Sequence, residues 1–392
     1  MIDKNIFLLG ATGSIGTQVL EVIRGKDFCL KSVACGKNIN KLEEIILEFH
    51  PEYVSVLYKD DAEMLQKKYP NIIFGYGDKG LEDAATYKEK EKGTVINAVV
   101  GLKGLMPTIK AIKLNRDILL ANKETLVVGG SIINDLLKKH TSKLIPVDSE
   151  HNAIARLIDG YNKDDIKKII ITASGGAFLN KTREELRDVS VCDALNHPNW
   201  QMGSKITIDS ATMVNKGLEV IEAYYLFGLD IDKIETIIHP ESIIHGMVEF
   251  NDHSVKSLMY KPSMVNPIEY AIYGKEINGV FENELDFSLL EKLTFKKMDY
   301  QRFPMIKLAY DVIKKGGILP LVYNASNEAS VELFLKGKIK FLDIERIITK
   351  YVNKYFNYEL ENELTIDEII KLDSLIKDNI INEVIKKWYI RF

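Results

Sequence analysis

Two carboxylates, Asp148 and Glu150, stand two residues apart where the apolar run "KLIPVD" ends. A third acid, Glu219, lies in "SATMVNKGLEVIEA", three residues after Lys216 and therefore on the same face of a helix formed there. In an extended segment, side chains at i and i+2 point the same way, so Asp148 and Glu150 are expected to project together beyond a strand end. Carboxylates that close repel unless a proton or a cation intervenes. An oxygen-only donor set suits a hard divalent ion, Mg²⁺ or Mn²⁺, with Glu219 as the third ligand. A pair of solvated loop acids is the plainer alternative for Asp148 and Glu150 taken alone.

The stretch "KITIDSATMVNKGLEVIEAYYLFGL" reads as strand, turn and long helix, with Ser210 at the helix start and Asn215 and Lys216 just inside it. A hydroxyl, an amide and an ammonium near a helix N-terminus make an anion pocket; for Ser210 alone, capping is the simpler role. "TASGG" adds a hydroxyl, Ser174, in a glycine-flanked turn after an apolar run. The segment "ALNHPNWQMGSK" sets Trp200 among His197, Pro198, Asn199 and Gly203. A large aromatic in such a polar loop, residues 196–205, predicts a lid that expels water on closing. A tryptophan simply buried against a neighbour is the alternative. His239 and His245 flank "PESII" and are expected to be structural.

These residues need elements to carry them. Residues 5–9 are an apolar run, followed by "GATGSIG" and then by Val19, Val22 and Ile23 at helical spacing. Glycines in a first βα turn let the backbone approach a pyrophosphate at a helix N-terminus, although Gly10, Gly13 and Gly16 are spaced G-x-x-G-x-x-G and not in the commoner way. The next strand ends in "ACGKN", with Gly36, Lys37 and Asn38 where an NAD site carries an acid. A lysine there favours a 2′-phosphate, so NADP(H) is expected, unless Lys37 is an ordinary surface lysine. "YVSVLY", "NIIFGY", "TVINAVVG", "RDILLAN" and "KLIPVD" alternate with helical patterns, which predicts a mostly parallel sheet with helices on both faces.

The fold class expected is therefore α/β. Residues 1–148 form a Rossmann-like dinucleotide-binding domain, 149–290 a central α/β catalytic domain that carries the lid, and 300–392 a small C-terminal helical domain. In that tail Ile369, Leu372, Ile376, Ile380 and Val384 mark one helix face, behind a capping box of Thr365 and Glu368.

The chain has 392 residues, enough for two or three cores, and a formal net charge of −4. No long basic block is present, which argues against nucleic acid as a partner; mixed text such as "YKEKEKG" reads as a solvated face. Three cysteines without C-x-x-C spacing argue against a disulfide scaffold or a zinc ribbon and fit a reducing cytoplasm. No signal peptide and no apolar run of membrane-spanning length are seen.

Taken together, "GATGSIG", "ACGKN", "LLANKE", "PVDSEHNAI", "TASGGAF", "HPNWQMG", "DSATMVNKGLE" and "NASNE" resemble, in order, the 1-deoxy-D-xylulose 5-phosphate reductoisomerase family. The resemblance implies NADPH- and metal-dependent rearrangement and reduction of that ketose phosphate to 2-C-methyl-D-erythritol 4-phosphate, in isoprenoid precursor synthesis. It implies that Thr12, Gly13, Ser14, Ile15, Gly36, Lys37, Asn38, Asn122, Glu124 and Gly203 line the NADPH site. Asp148, Glu150 and Glu219 would hold Mg²⁺ or Mn²⁺. Lys123, Ser149, Glu150, Ser174, His197, Trp200, Met202, Ser210, Asn215, Lys216 and Glu219 would contact substrate. Of these, Ser174, Ser210, Asn215 and Lys216 would take its phosphate, and Lys123 and His197 would join the metal ligands as catalytic groups. A homodimer is implied in the same way. Ala11, Ala177 and Glu241 depart from the family's usual residues without removing a metal or phosphate ligand.

Overall fold

The computed structural model describes residues 1–200, 202–275, 284–360 and 363–389, the last three without their side chains. The chain packs as two compact units: Met1–Ala155 with Ser263–Glu284, and Arg156–Pro262 with Leu285–Phe392.

The first unit is built on strands β1 (Asn5–Leu9), β2 (Cys29–Ala34), β3 (Tyr53–Val56), β4 (Ile73–Tyr76), β5 (Thr94–Asn97), β6 (Asp117–Leu120) and β7 (Leu144–Pro146). They form one sheet in the order β4-β3-β2-β1-β5-β6-β7, with every neighbouring pair parallel. The inner strands β1, β5 and β6 are covered on both faces, which is why their sequences are mostly apolar runs instead of alternating ones, while the edge strand β4 is partly exposed. The covering helices are α1 (Ser14–Ile23), α2 (Ile39–Phe49), α3 (Lys59–Lys68), α4 (Gly77–Thr86), α5 (Leu105–Lys113), α6 (Lys123–Lys139) and the start of α7 (Ser149–Ile158).

From β1 the chain winds outward one way through β2 to β4, then restarts at β5 and winds the other way. That reversal is where open α/β sheets bind ligands, outside the carboxyl ends of the strands. The loops after β1, β2, β6 and β7, which carry the predicted residues of this unit, all leave from that edge. β1 and β7 are three strand spacings apart, about 14 Å.

Residues 263–284 return to this first unit through helix α11 (Val265–Tyr273). Ile268, Ala271 and Ile272 enter the same apolar cluster as Val19, Val22 and Ile23 of α1. The Ile2 amide donates to the Ile272 carbonyl at 2.9 Å, and the Tyr273 hydroxyl to the Val22 carbonyl at 3.1 Å. Burying a side chain the size of Ile272 contributes about 1.5–3 kcal/mol.

The second unit holds a mixed sheet of β8 (Ile166–Ala173), β9 (Ile234–Ile238), β10 (Ile244–Phe250), β11 (Val255–Met259) and β12 (Lys296–Lys297), in the order β11-β10-β8-β9-β12. Around it lie α8 (Val191–Leu195), α9 (Ser204–Thr212), α10 (Val214–Phe227), α12 (Pro304–Lys315), α13 (Leu319–Leu335), α14 (Phe341–Tyr355) and α15 (Ile366–Tyr389). The capping box ahead of α15 is present: the Glu368 carboxylate accepts from the Thr365 amide at 2.8 Å and from its hydroxyl at 2.7 Å.

The structure corrects one element. "KITID" was expected as a strand, but residues 204–212 are helix α9. Its buried Asp209 is bonded by Lys205, one turn back, at 2.8 Å and by Asn327 Nδ2 of α13 at 2.8 Å. The i, i+4 approach of Lys205 to Asp209 fits a helix; along a strand the two Cα atoms would be about 13 Å apart.

Candidate active site

In the first unit the glycine turn is built from its own backbone. The amides of Gly10 and Ala11 both donate to the Ala34 carbonyl at 2.9 Å, tying the turn to the end of β2. Gly10 has φ +85°, and a Cβ there would lie 2.5 Å from the Ala98 carbonyl oxygen; a Cβ on Gly16 would lie 2.2 Å from the Gly10 oxygen. Those two glycines are demanded by the protein itself. Gly13 is different: it has a negative φ, and its Cβ would meet only the Gly10 oxygen, at 3.3 Å. Gly13 and Ser14 are exposed at the start of α1, which has no side-chain cap, so its first amides are available to an anion.

Thr12 and Ile15 are half-buried beside them, and the Thr12 hydroxyl meets the Cys35 thiol at 3.3 Å. Burial raises the thiol pKa, so Cys35 stays a neutral packing group. Gly36, Lys37 and Asn38 follow it, all exposed, and Asn38 caps α2 by accepting from the Lys41 amide at 3.2 Å. The structure therefore leaves the Lys37 ammonium on the same edge as the glycine turn.

Asn122 begins α6 and is almost fully buried. Its oxygen accepts from the Thr125 amide at 2.8 Å, while its amide donates to the carbonyls of Val99 at 2.8 Å and Gly101 at 2.9 Å, and to Glu124 at 3.3 Å. Asn122 thus organises the loop after β5 as well as the helix start. Asn97 does the same from β5, donating to the Gly104 carbonyl at 3.0 Å and to Thr108 at 2.8 Å. Sequence reasoning missed Asn97; an amide ending an otherwise apolar strand, "TVIN", was the available signal.

Lys123, the next residue, is buried and pairs with Asp148 at 2.5 Å. Asp148 and Glu150 do come together, each offering an oxygen within 4.8 Å of the other, but not as an extended pair. Helix α7 begins at Ser149, and Asp148 stands in its cap position: its side chain accepts from the Glu150 amide at 3.3 Å and its carbonyl from the Asn152 amide at 2.8 Å. The cap, not strand alternation, sets the two acids side by side. The Ser149 hydroxyl bonds Glu150. This oxygen-only donor set, neither acid fully buried, fits a hard divalent cation.

In the second unit β8 ends at Ala173 and the chain turns through Gly175 (φ +90°) and Gly176 (φ +67°). A Cβ on Gly176 would lie 2.5 Å from the Ser210 carbonyl, so this glycine lets the Ser174 turn pack on the end of α9. Ser210 is not at a helix start as expected; it sits in the last turn of α9, its carbonyl accepting from the Met213 amide at 3.1 Å. Met213, at φ +61°, breaks α9 from α10 with its side chain anchored in the apolar cluster of Ala173, Ile238 and Ile306. The break starts α10 at Val214 and puts Asn215 and Lys216 in its first turn, without a side-chain cap. Both reach Glu219: Asn215 Nδ2 donates to Oε1 at 2.6 Å and Lys216 Nζ pairs with Oε2. Gly217 faces away, where a Cβ would meet the Tyr323 hydroxyl at 2.6 Å.

His197 lies 3.2 Å from the Ser174 hydroxyl through Nε2. Its Nδ1 accepts from the amides of Asn199 at 3.2 Å and Trp200 at 3.0 Å. A nitrogen that accepts twice carries no proton, so the ring is neutral with its proton on Nε2, and burial lowers its pKa from the usual 6.5. Trp200 is half-buried and meets the His245 ring edge-on at 6.2 Å, and Asn199 donates to the Pro240 carbonyl at 2.6 Å. Met202 is half-buried and Gly203 caps α9; Gln201, also in the expected lid, is outside the described residues. His239 and His245 are buried with ring nitrogens on backbone: His239 Nε2 accepts from the Ile243 and Ile244 amides at 3.1 Å, and His245 Nε2 meets the Tyr260 carbonyl at 3.2 Å.

Relatives and solved structures of one family match nearly the whole chain. Bacillus thuringiensis subsp. konkukian has a "1-deoxy-D-xylulose 5-phosphate reductoisomerase 2" that is 45% identical over 384 residues, 97% of this chain and 100% of the relative. The chain belongs to the 1-deoxy-D-xylulose 5-phosphate reductoisomerase family. A Clostridium kluyveri reductoisomerase is 46% identical over 383 residues, 95% of this chain and 97% of its own length. The family profile described as 1-deoxy-D-xylulose 5-phosphate reductoisomerase matches residues 6–130, and two C-terminal-domain profiles of the family match 144–227 and 259–379. A crystal structure of DOX-P reductoisomerase in complex with NADPH, fosmidomycin and magnesium superposes with a TM-score of 0.90 at 35% identity, covering 97% of this chain and 98% of the other. The Zymomonas mobilis enzyme in complex with NADPH superposes at 0.88 with 34% identity, covering 97% and 99%. The Rossmann-like first sheet, the central α/β part and the helical C-terminal region expected from the sequence are those of this family.

Proposed function

We propose that this chain converts 1-deoxy-D-xylulose 5-phosphate to 2-C-methyl-D-erythritol 4-phosphate with NADPH and a divalent cation, Mg²⁺ or Mn²⁺, in isoprenoid precursor synthesis. Family membership along nearly the full length carries this reading; the geometry inside each unit supports it. Asp148, Glu150 and Glu219 are the proposed cation ligands. The bound cation would polarise the substrate carbonyl and acidify the neighbouring hydroxyl, and NADPH would supply the hydride that reduces the branched aldehyde.

The chain's own groups do the rest. The α1 N-terminus, with Thr12, Gly13, Ser14 and Ile15, holds the dinucleotide pyrophosphate, and Gly36, Lys37 and Asn38 receive the 2′-phosphate end. Asn122, Glu124 and Gly203 complete that site. Ser174, Ser210, Asn215 and Lys216 bind the substrate phosphate, whose remote binding energy orients the reacting carbons. Neutral His197 donates to the Ser174 hydroxyl and so aims that hydroxyl's lone pairs and proton. Lys123, set against Asp148, supplies positive charge where oxyanion charge develops. Ser149, Trp200 and Met202 close on the substrate, and the loop 196–205 excludes water.

The domain division 1–148, 149–290 and 300–392 is part of the proposal, as are a cytoplasmic location and a homodimer. Among the described residues no helix is long and apolar enough to cross a membrane. The sugar phosphate is the proposed partner; the net charge of −4 disfavours nucleic acid.

The test is loss of NADPH absorbance with 1-deoxy-D-xylulose 5-phosphate, with Mg²⁺ or with EDTA, and the product's carbon skeleton read by NMR. Mg²⁺-dependent oxidation with a branched product is expected. Oxidation that survives EDTA and leaves an unbranched product would make the chain a plain dehydrogenase instead.

A further inference from the structure

Glu219 serves two demands with one carboxylate. Oε1 accepts from Asn215 and Oε2 is paired with Lys216, so both oxygens are engaged by side chains assigned above to the substrate phosphate. The Glu219 and Lys216 side chains are 1% and 5% exposed, so water does not loosen the pair. The geometry comes from the helix. Asn215 and Lys216 lie four and three residues before Glu219, and a helical side chain leans toward the N-terminus, so one carboxylate reaches both.

We propose that Glu219 is a positioning residue for the phosphate pocket as well as a cation ligand, and that it makes cation and phosphate binding cooperative; this rests on the functional reading above. An ammonium and a divalent cation on one buried carboxylate repel each other strongly. When the carboxylate turns to the cation, its bonds to Lys216 and Asn215 are given up. Both sit in the first turn of α10, where a phosphate offers new acceptors and the helix N-terminus adds to the attraction. Lys216 reaches that anion by rotation about its own side chain. By linkage the effect is reciprocal: phosphate on Lys216 removes a competitor from Glu219 and strengthens the cation site.

The probes are inorganic phosphate and Mg²⁺, followed by calorimetry on the full chain, with Mn²⁺ binding by electron paramagnetic resonance as the reciprocal measurement. In the unsubstituted protein Mg²⁺ is expected to strengthen phosphate binding by at least about tenfold, and phosphate to strengthen Mn²⁺ by the same factor. In Lys216→Met phosphate binds weakly and the cation changes its affinity by less than about twofold. Glu219→Gln binds phosphate well without any cation. The proposal is overturned if Mg²⁺ leaves phosphate affinity unchanged. It is equally overturned if the strengthening persists undiminished in Lys216→Met, because the ion would then attract the anion directly. Neither result touches the functional reading, which fails separately if no Mg²⁺-dependent turnover of the ketose phosphate is seen. The unsubstituted protein alone tests the coupling, so a variant that misfolds does not remove the experiment.

Discussion

The Nδ1 lone pair of His197 accepts two backbone amides, and its single proton faces the Ser174 hydroxyl. Protonating the ring would put a proton where two N–H groups already point. Burial holds the folded-state pKa below the ordinary 6.5. The linkage has a definite sign: the neutral ring's contribution to stability is present above pH 6.5 and is lost as pH falls through the lowered folded-state value. Thermal melts at pH 7 and at about pH 5 are expected to show a smaller acid-induced loss in His197→Gln than in the unsubstituted protein. Equal losses would mean that the ring is free to protonate in the folded chain. The family resemblance marked His197 from sequence, but its tautomer depends on Asn199 and Trp200 folding back onto it.

At the scale of elements, the glycine turn divides its labour. Gly16 is needed because α1 touches the turn it springs from, whereas a Cβ on Gly13 would press only on the Gly10 oxygen, at 3.3 Å. Gly16→Ala is expected to cost about 1–3 kcal/mol in denaturant unfolding, since its Cβ meets backbone that cannot yield. Gly13→Ala should stay within about 1 kcal/mol of the unsubstituted protein while weakening NADPH by about tenfold or more, read by fluorescence titration. The reverse pattern would remove Gly13 from the cofactor site. The α9–α10 break shows the opposite dependence on context. Met213 adopts a positive φ without being glycine because its side chain is buried in a cluster contributed by β8, β9 and α12. No spacing in "DSATMVNKGLE" announces that break, which is why Ser210 was expected at a helix start and occurs at a helix end.

For the whole molecule, the proposed cation ligands come from both compact units, Asp148 and Glu150 from the first and Glu219 from the second. A ligand that binds only the folded chain stabilises it, by about 2.7 kcal/mol at a hundred times its dissociation constant. Mn²⁺ is expected to raise the melting temperature, EDTA to reverse the rise, and Asp148→Asn and Glu219→Gln each to abolish it. If Glu219→Gln kept the full rise while Asp148→Asn lost it, the second unit would supply no ligand. The chain's return to the first unit at Ser263–Glu284 belongs to this scale too, since α11 is an ordinary amphipathic helix whose partner, α1, lies some 250 residues earlier by the Tyr273–Val22 bond.

What the sequence alone determined is what short-range physics controls. Residues 5–9 as the first strand, a parallel sheet from continuous apolar runs, the turn glycines and the facing of Lys216 and Glu219 all follow from side-chain period or backbone freedom within a few residues. Tertiary structure decided the remainder. Helix α9 overrides an alternating pattern because Asp209 finds Asn327, and Asp148 and Glu150 meet through a helix cap whose formation depends on where β7 stops. Asn97 and Asn122 hold loops that only the folded sheet brings within reach. Asp209, Asn97 and Asn122 are buried polar groups that must find partners, and a partner brought in by the fold leaves no periodic trace in the sequence around the group it satisfies.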